Sequence, residues 1–103
     1  MERVALDHMT ADTFTRLTGP GYRVSAASGD SVSAELTEVQ HHDAAPGGES
    51  FALLFRLPVA AFEQGVYGIE HEAIGVFDLF LVPVGAIPEG ILCEAVFNRM
   101  VSV

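Results

Sequence analysis

The most unusual hydrophobic pattern of the chain lies in the stretch GVFDLFLVPVGAIPEGILCEAVFNR, residues 75 to 99. A half-buried strand alternates apolar and polar residues, because one face packs on the core and the other meets water. From Val76 to Val84, however, nearly every side chain on both faces is apolar. A sheet that is apolar on both sides must pack against its own chain, a ligand or another molecule.

The first regular element is a short helix, predicted from about Ala11 to Thr18. Thr10 can cap this helix, and Asp12 lies in its first turn, where a negative charge interacts favourably with the helix dipole. Met9 and Phe14 occupy the two positions of a hydrophobic staple. The helix is too short to be stable alone, so we expect it to dock on the rest of the chain.

The segments YRVSAAS and SVSAELTEVQ alternate in hydrophobicity and predict two strands of a β-hairpin. A two-residue loop would set the apolar positions of one strand opposite the polar positions of the other. We therefore predict a three-residue loop, Ser28 to Asp30, which pairs Val32 with Ala26 and keeps apolar residues together.

Four further strands complete the predicted sheet. They are FALLFRL (51–57), VYGIEH (66–71), Gly75 to Val82, and Leu92 to Asn98. In the last pair, an antiparallel register would set Phe77 opposite Phe97. The sequence thus predicts a single, mostly β domain over residues 1–103: about six antiparallel strands in a meander forming a small barrel or compact sandwich, with one short N-terminal helix.

The outer face of the last two strands has two candidate covers. One is the helix, which would bury Phe14 and Leu17 against Phe80 and Val96. The other is a second subunit or a protein partner, since an exposed apolar patch of several hundred Å² usually marks an interface. In that second arrangement the interface residues are Phe80, Val82, Leu92 and Val96.

The charge of the chain excludes several partners. Fourteen acidic residues against five basic ones give a formal net charge of −9 at pH 7. This charge repels phosphate backbones and anionic lipid surfaces, so we expect neither a nucleic-acid nor a membrane partner. The longest apolar run, Leu79 to Ile87, is far shorter than the ~20 residues of a membrane-spanning helix. The first residues lack a secretory signal pattern, which predicts a cytoplasmic protein, or one exported without a cleaved signal peptide.

Residue types with catalytic or metal-binding potential are few. Cys93 is the only cysteine, so an internal disulfide is excluded and a thiolate zinc site is disfavoured. No G-x-S-x-G elbow, P-loop or dinucleotide-binding glycine motif is present. The sequence therefore predicts a protein that is not an enzyme and carries no cofactor.

Two polar clusters remain as candidates for chemistry. His41 and Asp43, in the loop segment HHDAAPGGES, could ligate a transition metal, but they would need a third ligand from elsewhere. Neighbouring residues of an extended segment point to opposite sides, which removes His42 from that set. Glu70, His71 and Glu72 could do acid–base work only if they lined a cleft; otherwise they form a polar rim before a turn.

The segments FALLFR, QGVYGIEHEAIGVFDLFLVPVG and EAVFN carry a resemblance to known sequences. In them the chain resembles an uncharacterised family of short bacterial domains of unknown function, and the likeness runs from Thr10 to Asn98. The spaced pattern LFLVPVG…EAVFN is its most specific part. The resemblance implies a bacterial, self-contained β-rich domain and favours a role in an assembly, with phage-tail-like structures as the candidate setting. It supplies no catalytic residues.

The sequence as a whole favours a non-enzymatic structural or protein-interaction module within a homo-oligomer or larger assembly. An alternative is a small-ligand β-barrel, in which inward phenylalanines leave a cavity instead of filling it. Those phenylalanines are Phe51, Phe55, Phe77 and Phe97. A less favoured alternative is a metal-dependent enzyme in which the 41–43 loop closes over a site.

Overall fold

The computed structural model describes residues 9–42 and 48–100. Within these ranges the chain forms α1 (Ala11–Thr15), β1 (Gly19–Ser25), β2 (Ser31–His42), β3 (Gly48–Leu57), β4 (Gly65–His71), β5 (Gly75–Ile87) and β6 (Gly90–Met100). All strand pairs are antiparallel, and the sheet closes on itself as a barrel in the order β1-β2-β3-β6-β5-β4. The predicted mostly β fold of six antiparallel strands with one short helix is confirmed. No helix in the described ranges is long and apolar enough to cross a bilayer.

The strand order departs from a simple meander at one connection. β3 lies beside β6 instead of β4, and β4 closes the barrel by pairing with β1. The neighbouring strands β4-β1-β2-β3 therefore have the order of a Greek key. Alternation of apolar and polar residues fixes which face of a strand is buried but leaves its neighbours undetermined, so the sequence pattern alone does not reveal this crossing.

The β1–β2 hairpin has the predicted loop length at a different position. The backbone carbonyl of Asp30 accepts a hydrogen bond from the backbone N–H of Ala26, so the loop is residues 27–29. The predicted pairing of Val32 with Ala26 is therefore wrong. Val32 lies opposite Val24 instead. The reason is Gly29, whose positive φ of 99° closes the three-residue loop one position earlier. The register moves by two residues, and apolar side chains still meet apolar ones.

The predicted pairing of Phe77 with Phe97 is also wrong. β5 pairs with β4 in its first half and with β6 from Val82 onward, where Val82 lies opposite Glu94. Phe97 lies opposite Phe51 of β3. β5 ends at Ile87 and β6 begins at Gly90, so the turn between them has two residues. A register shift between Pro83 and Gly85 adds one residue to β5. The resulting displacement keeps Phe77 and Phe97 on the inner face, because faces repeat every second residue.

The barrel interior is filled by aromatic and aliphatic side chains. Phe14 of the helix is fully buried, with its ring centroid 5.7 Å from Phe97, 5.9 Å from Phe77 and 6.2 Å from Phe51. The rings of Phe51 and Phe97 stack at 4.6 Å. Phe55 is fully buried as well. The inward phenylalanines thus fill the space that a small-ligand barrel would leave open.

The helix begins where the sequence predicts and ends earlier. Thr10 caps it in a capping box with Thr13, and its α-helical span is Ala11–Thr15 instead of the predicted Ala11 to Thr18. Because Phe14 points into the barrel, the helix contributes to the core and does not lie on the outer face of the last strands.

Candidate functional site

The outer side of β4, β5 and β6 carries the most exposed large apolar side chains of the described residues. Val66 is 65 % exposed, Val96 60 % and Phe80 52 %. Val66 lies directly opposite Phe80 on the neighbouring strand. Of the two candidate covers for Phe80 and Val96, the helix is therefore excluded. We call the outer surface formed by Val66, Phe80, Val82, Leu92 and Val96 the β4–β6 face.

The four residues predicted as an interface lie on the outer side of β5 and β6. Phe80 and Val96 are exposed, whereas Val82 and Leu92 are half-buried. Val82 lies opposite Glu94, whose other neighbour across the sheet is Leu54 of β3. The structure thus brings the four predicted side chains to one side of the barrel, with two of them accessible to a partner.

Sequence reasoning missed Val66 as a member of this face. The alternation in VYGIEH assigns Tyr67 and Ile69 to the core, so Val66 must point outward. Pairing of β4 with β5 then sets Val66 against Phe80. The alternation of inward and outward residues in this short strand therefore already placed Val66 on the outer face.

A cleft of about 840 Å³ lies on a different part of the barrel, between β1, β2 and the ends of β3 and β4. Glu70, His71 and Glu72 all line it, so these residues are part of a cleft wall. The backbone N–H of Ala73 donates a 3.0 Å hydrogen bond to His71 Nδ1, and the His71 ring centroid lies 4.5 Å from that of Tyr22. The Nδ1 atom is thus engaged as an acceptor, which leaves Nε2 as the ring atom free to meet a ligand.

The other charged groups of the cleft come from strands distant in sequence. Glu35 and Arg56 form an ion pair across β2 and β3. Arg23 also lines the cleft and donates a 3.0 Å hydrogen bond to Ser31 Oγ. Glu89 reaches the cleft from the β5–β6 turn. The cleft therefore presents both signs of charge around a partly apolar floor, with carboxylates in excess.

Among the described residues, His41 is not grouped with other potential metal ligands. His41 and His42, predicted in a loop, are instead the last two residues of β2, and both are exposed. His41 lies opposite Phe51 and His42 opposite Ser50, so the two imidazoles point to opposite faces, as expected for an extended segment. Asp43 lies outside the described residues. Among those that are described, no three potential ligands are grouped for a metal ion.

Two titratable groups are strongly affected by burial. Burial raises the pKa of the Cys93 thiol to about 11 and the pKa of the Tyr22 hydroxyl to about 12. A neutral, fully buried thiol is a poor nucleophile, because the thiolate is the reactive form. Cys93 therefore serves the core, as its position among apolar residues of β6 predicts.

These features define a small closed β-barrel with a helix packed into its core and an exposed apolar face, in a chain whose formal net charge is −9. Within that class the chain belongs to the family described as Domain of unknown function (DUF6916), whose model matches residues 9–97. The predicted membership of an uncharacterised domain family is thereby confirmed. No curated protein and no solved structure matches the chain.

Proposed function

We propose that the chain is a non-enzymatic structural or protein-interaction module that is held in a larger assembly through the β4–β6 face. The observation that carries this proposal is the exposure of Phe80, together with Val66 and Val96, on the outside of a closed barrel. Large apolar side chains grouped on a rigid sheet favour association, since each Å² removed from water contributes roughly 25 cal/mol.

The topology favours contact face to face over strand addition. Each strand of the barrel has two neighbours, and β1 pairs with β4 to close the sheet. The distal half of β5 lies beyond the region paired with β4, but it contains Pro83 and a register shift. Proline lacks the N–H that an added strand requires, and irregular edges discourage pairing. A flat docking contact on the β4–β6 face is thus the favoured mode.

The chemistry of the remaining residues supports a role without catalysis. Cys93 is buried and protonated at neutral pH, so it is not available as a nucleophile. The net charge of −9 disfavours nucleic acid and anionic membranes as partners. We further propose a bacterial setting, in the cytoplasm or after export without a cleaved signal, with a phage-tail-like assembly as the candidate context.

Position-specific photo-crosslinking in the source cells tests the proposal. A photoreactive phenylalanine analogue replaces Phe80, and the matched control carries it at the exposed Glu38 of β2, a strand that pairs with β1 and β3 and with no strand of the β4–β6 face. We expect a discrete crosslinked species of defined mass from position 80 and none from position 38. Equal crosslinking at both positions, or none at position 80, would overturn the proposal.

The cleft supports a second candidate, a binding module for a small ligand. It combines a volume of about 840 Å³ with Glu70, His71, Glu72 and the Glu35–Arg56 ion pair. Ligand pockets have volumes in this range and a few convergent polar groups. Native mass spectrometry of the purified chain tests it: a bound small molecule that is lost on His71→Ala would favour this function, and a bare mass would remove it.

A further inference from the structure

The charged side chains that the structure describes on the outer side of β5 and β6 near the β4–β6 face are acidic. Asp78 is exposed on β5, two residues before Phe80, and Glu94 is half-buried on β6, two residues before Val96. Both therefore lie on the same side of the sheet as the apolar residues. None of the side chains that the structure describes on β4, β5 and β6 is an arginine or lysine. The face is thus an apolar surface bordered by carboxylates.

The described arginines lie on other elements and already have partners. Arg16 forms a 2.9 Å ion pair with Asp12 in the helix segment. Arg56 pairs with Glu35, and Arg23 donates to Ser31. The chain contains no lysine. The described surface therefore offers no cluster of free cations that could complement the acidic border on a second copy.

A second copy is a poor occupant for this reason. Symmetric dimers bring the same patch of both subunits together, so the two copies of Asp78 and of Glu94 would border one interface. Each copy also carries a net charge of −9. Juxtaposed like charges oppose association, and the repulsion between whole molecules lowers the rate of encounter.

Building on the proposed function, we infer that the β4–β6 face docks a different protein, whose contact surface has apolar side chains at its centre and arginine or lysine at its rim. The centre of that surface covers Phe80 and Val66, and its cations approach Asp78 and Glu94. Such charge complementarity selects the partner against acidic competitors and accelerates binding at low salt. The same charges that keep copies of this chain apart therefore attract its partner.

The probes for this inference are three synthetic peptides of equal length, in which leucine alternates with lysine, serine or glutamate. Each is titrated into the full chain, and binding is followed by the NMR signals of the β4–β6 face. We expect the leucine–lysine peptide to bind at least about tenfold more tightly than the leucine–glutamate peptide. This advantage should shrink between about 0.05 M and about 0.5 M salt, because exposed charges are screened.

Matched double variants separate the border of the face from the general acidity of the chain. Asp78→Asn with Glu94→Gln removes two charges at the face, and Asp30→Asn with Glu38→Gln removes two at exposed positions of the β1–β2 loop and of β2, so each takes the net charge from −9 to −7. We expect only the first pair to weaken the leucine–lysine peptide several-fold. A thermal melt of every variant, including the single variant Glu94→Gln, checks that the fold is kept.

Four results would overturn the inference, and they bear differently on the proposed function. If both double variants weaken binding of the leucine–lysine peptide equally, the attraction comes from the general acidity of the chain. If the leucine–serine peptide binds as tightly as the leucine–lysine peptide, the carboxylates at the face do not contribute to binding. A dimer at neutral pH that Phe80→Asp abolishes, seen by light scattering, would make a second copy the occupant. The proposed function survives these three results. If no peptide binds, the inference fails. The proposed function then fails as well only if the photo-crosslink from position 80 is also missing.

Discussion

At the scale of single residues, Tyr22 joins the helical segment to the barrel. Its hydroxyl donates a 3.1 Å hydrogen bond to the carbonyl of Leu17, and its ring lies edge-on to Phe55 at 5.2 Å. We expect Tyr22→Phe to keep the ring contact and to lower the free energy of unfolding at pH 7 by about 1 kcal/mol, through the lost hydrogen bond. Urea unfolding of both proteins measures this difference.

The pH dependence of that difference tests the burial of the hydroxyl. Burial raises the pKa of Tyr22 from 10.0 to about 12, so the folded state keeps the proton longer than the unfolded state. The stability that this provides is complete below pH 10 and is lost as pH rises toward 12, by about 1.4 kcal/mol at pH 11. Phenylalanine does not ionise, so the two proteins should become about equally stable near pH 11. Cys93 titrates in both proteins, so its effect cancels in the difference between them. A difference in the free energy of unfolding that stays constant from pH 7 to pH 11 would contradict the prediction.

At the scale of elements, α1 is a plug for the barrel in spite of its five residues. Phe14 is its main contribution, with no exposed surface and three phenylalanine neighbours. We expect Phe14→Ala to lower the free energy of unfolding by about 3–5 kcal/mol, because it leaves a cavity in the core. The control Phe80→Ala should cost less than about 1 kcal/mol, because that side chain is half-exposed. Similar costs for the two substitutions would show that α1 is peripheral.

The turn between β5 and β6 depends on a glycine. Gly90 has a φ of 151°, and a Cβ at this position would overlap the backbone carbonyl oxygen of Leu57. Gly90→Ala should therefore destabilise the fold by more than about 2 kcal/mol, since backbone on both sides must move. Gly85→Ala, where a Cβ has open space, is the matched control and should change stability by less than about 1 kcal/mol. Thermal melts compare the two, and equal shifts would refute the steric explanation.

How far the elements could be predicted depends on what each signal encodes. Alternation in FALLFRL correctly assigned Phe51, Leu53, Phe55 and Leu57 to the core, because parity alone decides the face. Both hairpin registers were wrong by two residues, because such a slip preserves parity and only turn geometry distinguishes the alternatives. The surface on which α1 packs could not be predicted for a related reason. The helix has one large apolar side chain, Phe14, and this side chain suits either the core or the outer face.

At the scale of the whole molecule, the two candidate sites differ in how far the sequence could predict them. The β4–β6 face was predictable, since Phe80 and Val96 belong to strands with an excess of apolar residues. The cleft was not, because closure of the barrel through β1 and β4 brings Glu35, Arg56 and His71 together from three separate strands. A local pattern does not encode such a closure.

The balance between the apolar face and the net charge leads to a prediction about pH. At neutral pH the charge of −9 should keep the chain monomeric, because the carboxylates at the β4–β6 face repel a second copy. Near the isoelectric point of about 4.6 the net charge vanishes, and the exposed Phe80 can then drive association. Light scattering across this pH range should show association in the natural chain and much less in Phe80→Asp. Ser33→Asp, at an exposed position of β2, which pairs with β1 and β3, adds the same charge away from the face and should associate like the natural chain; equal loss in both variants would assign the effect to charge alone.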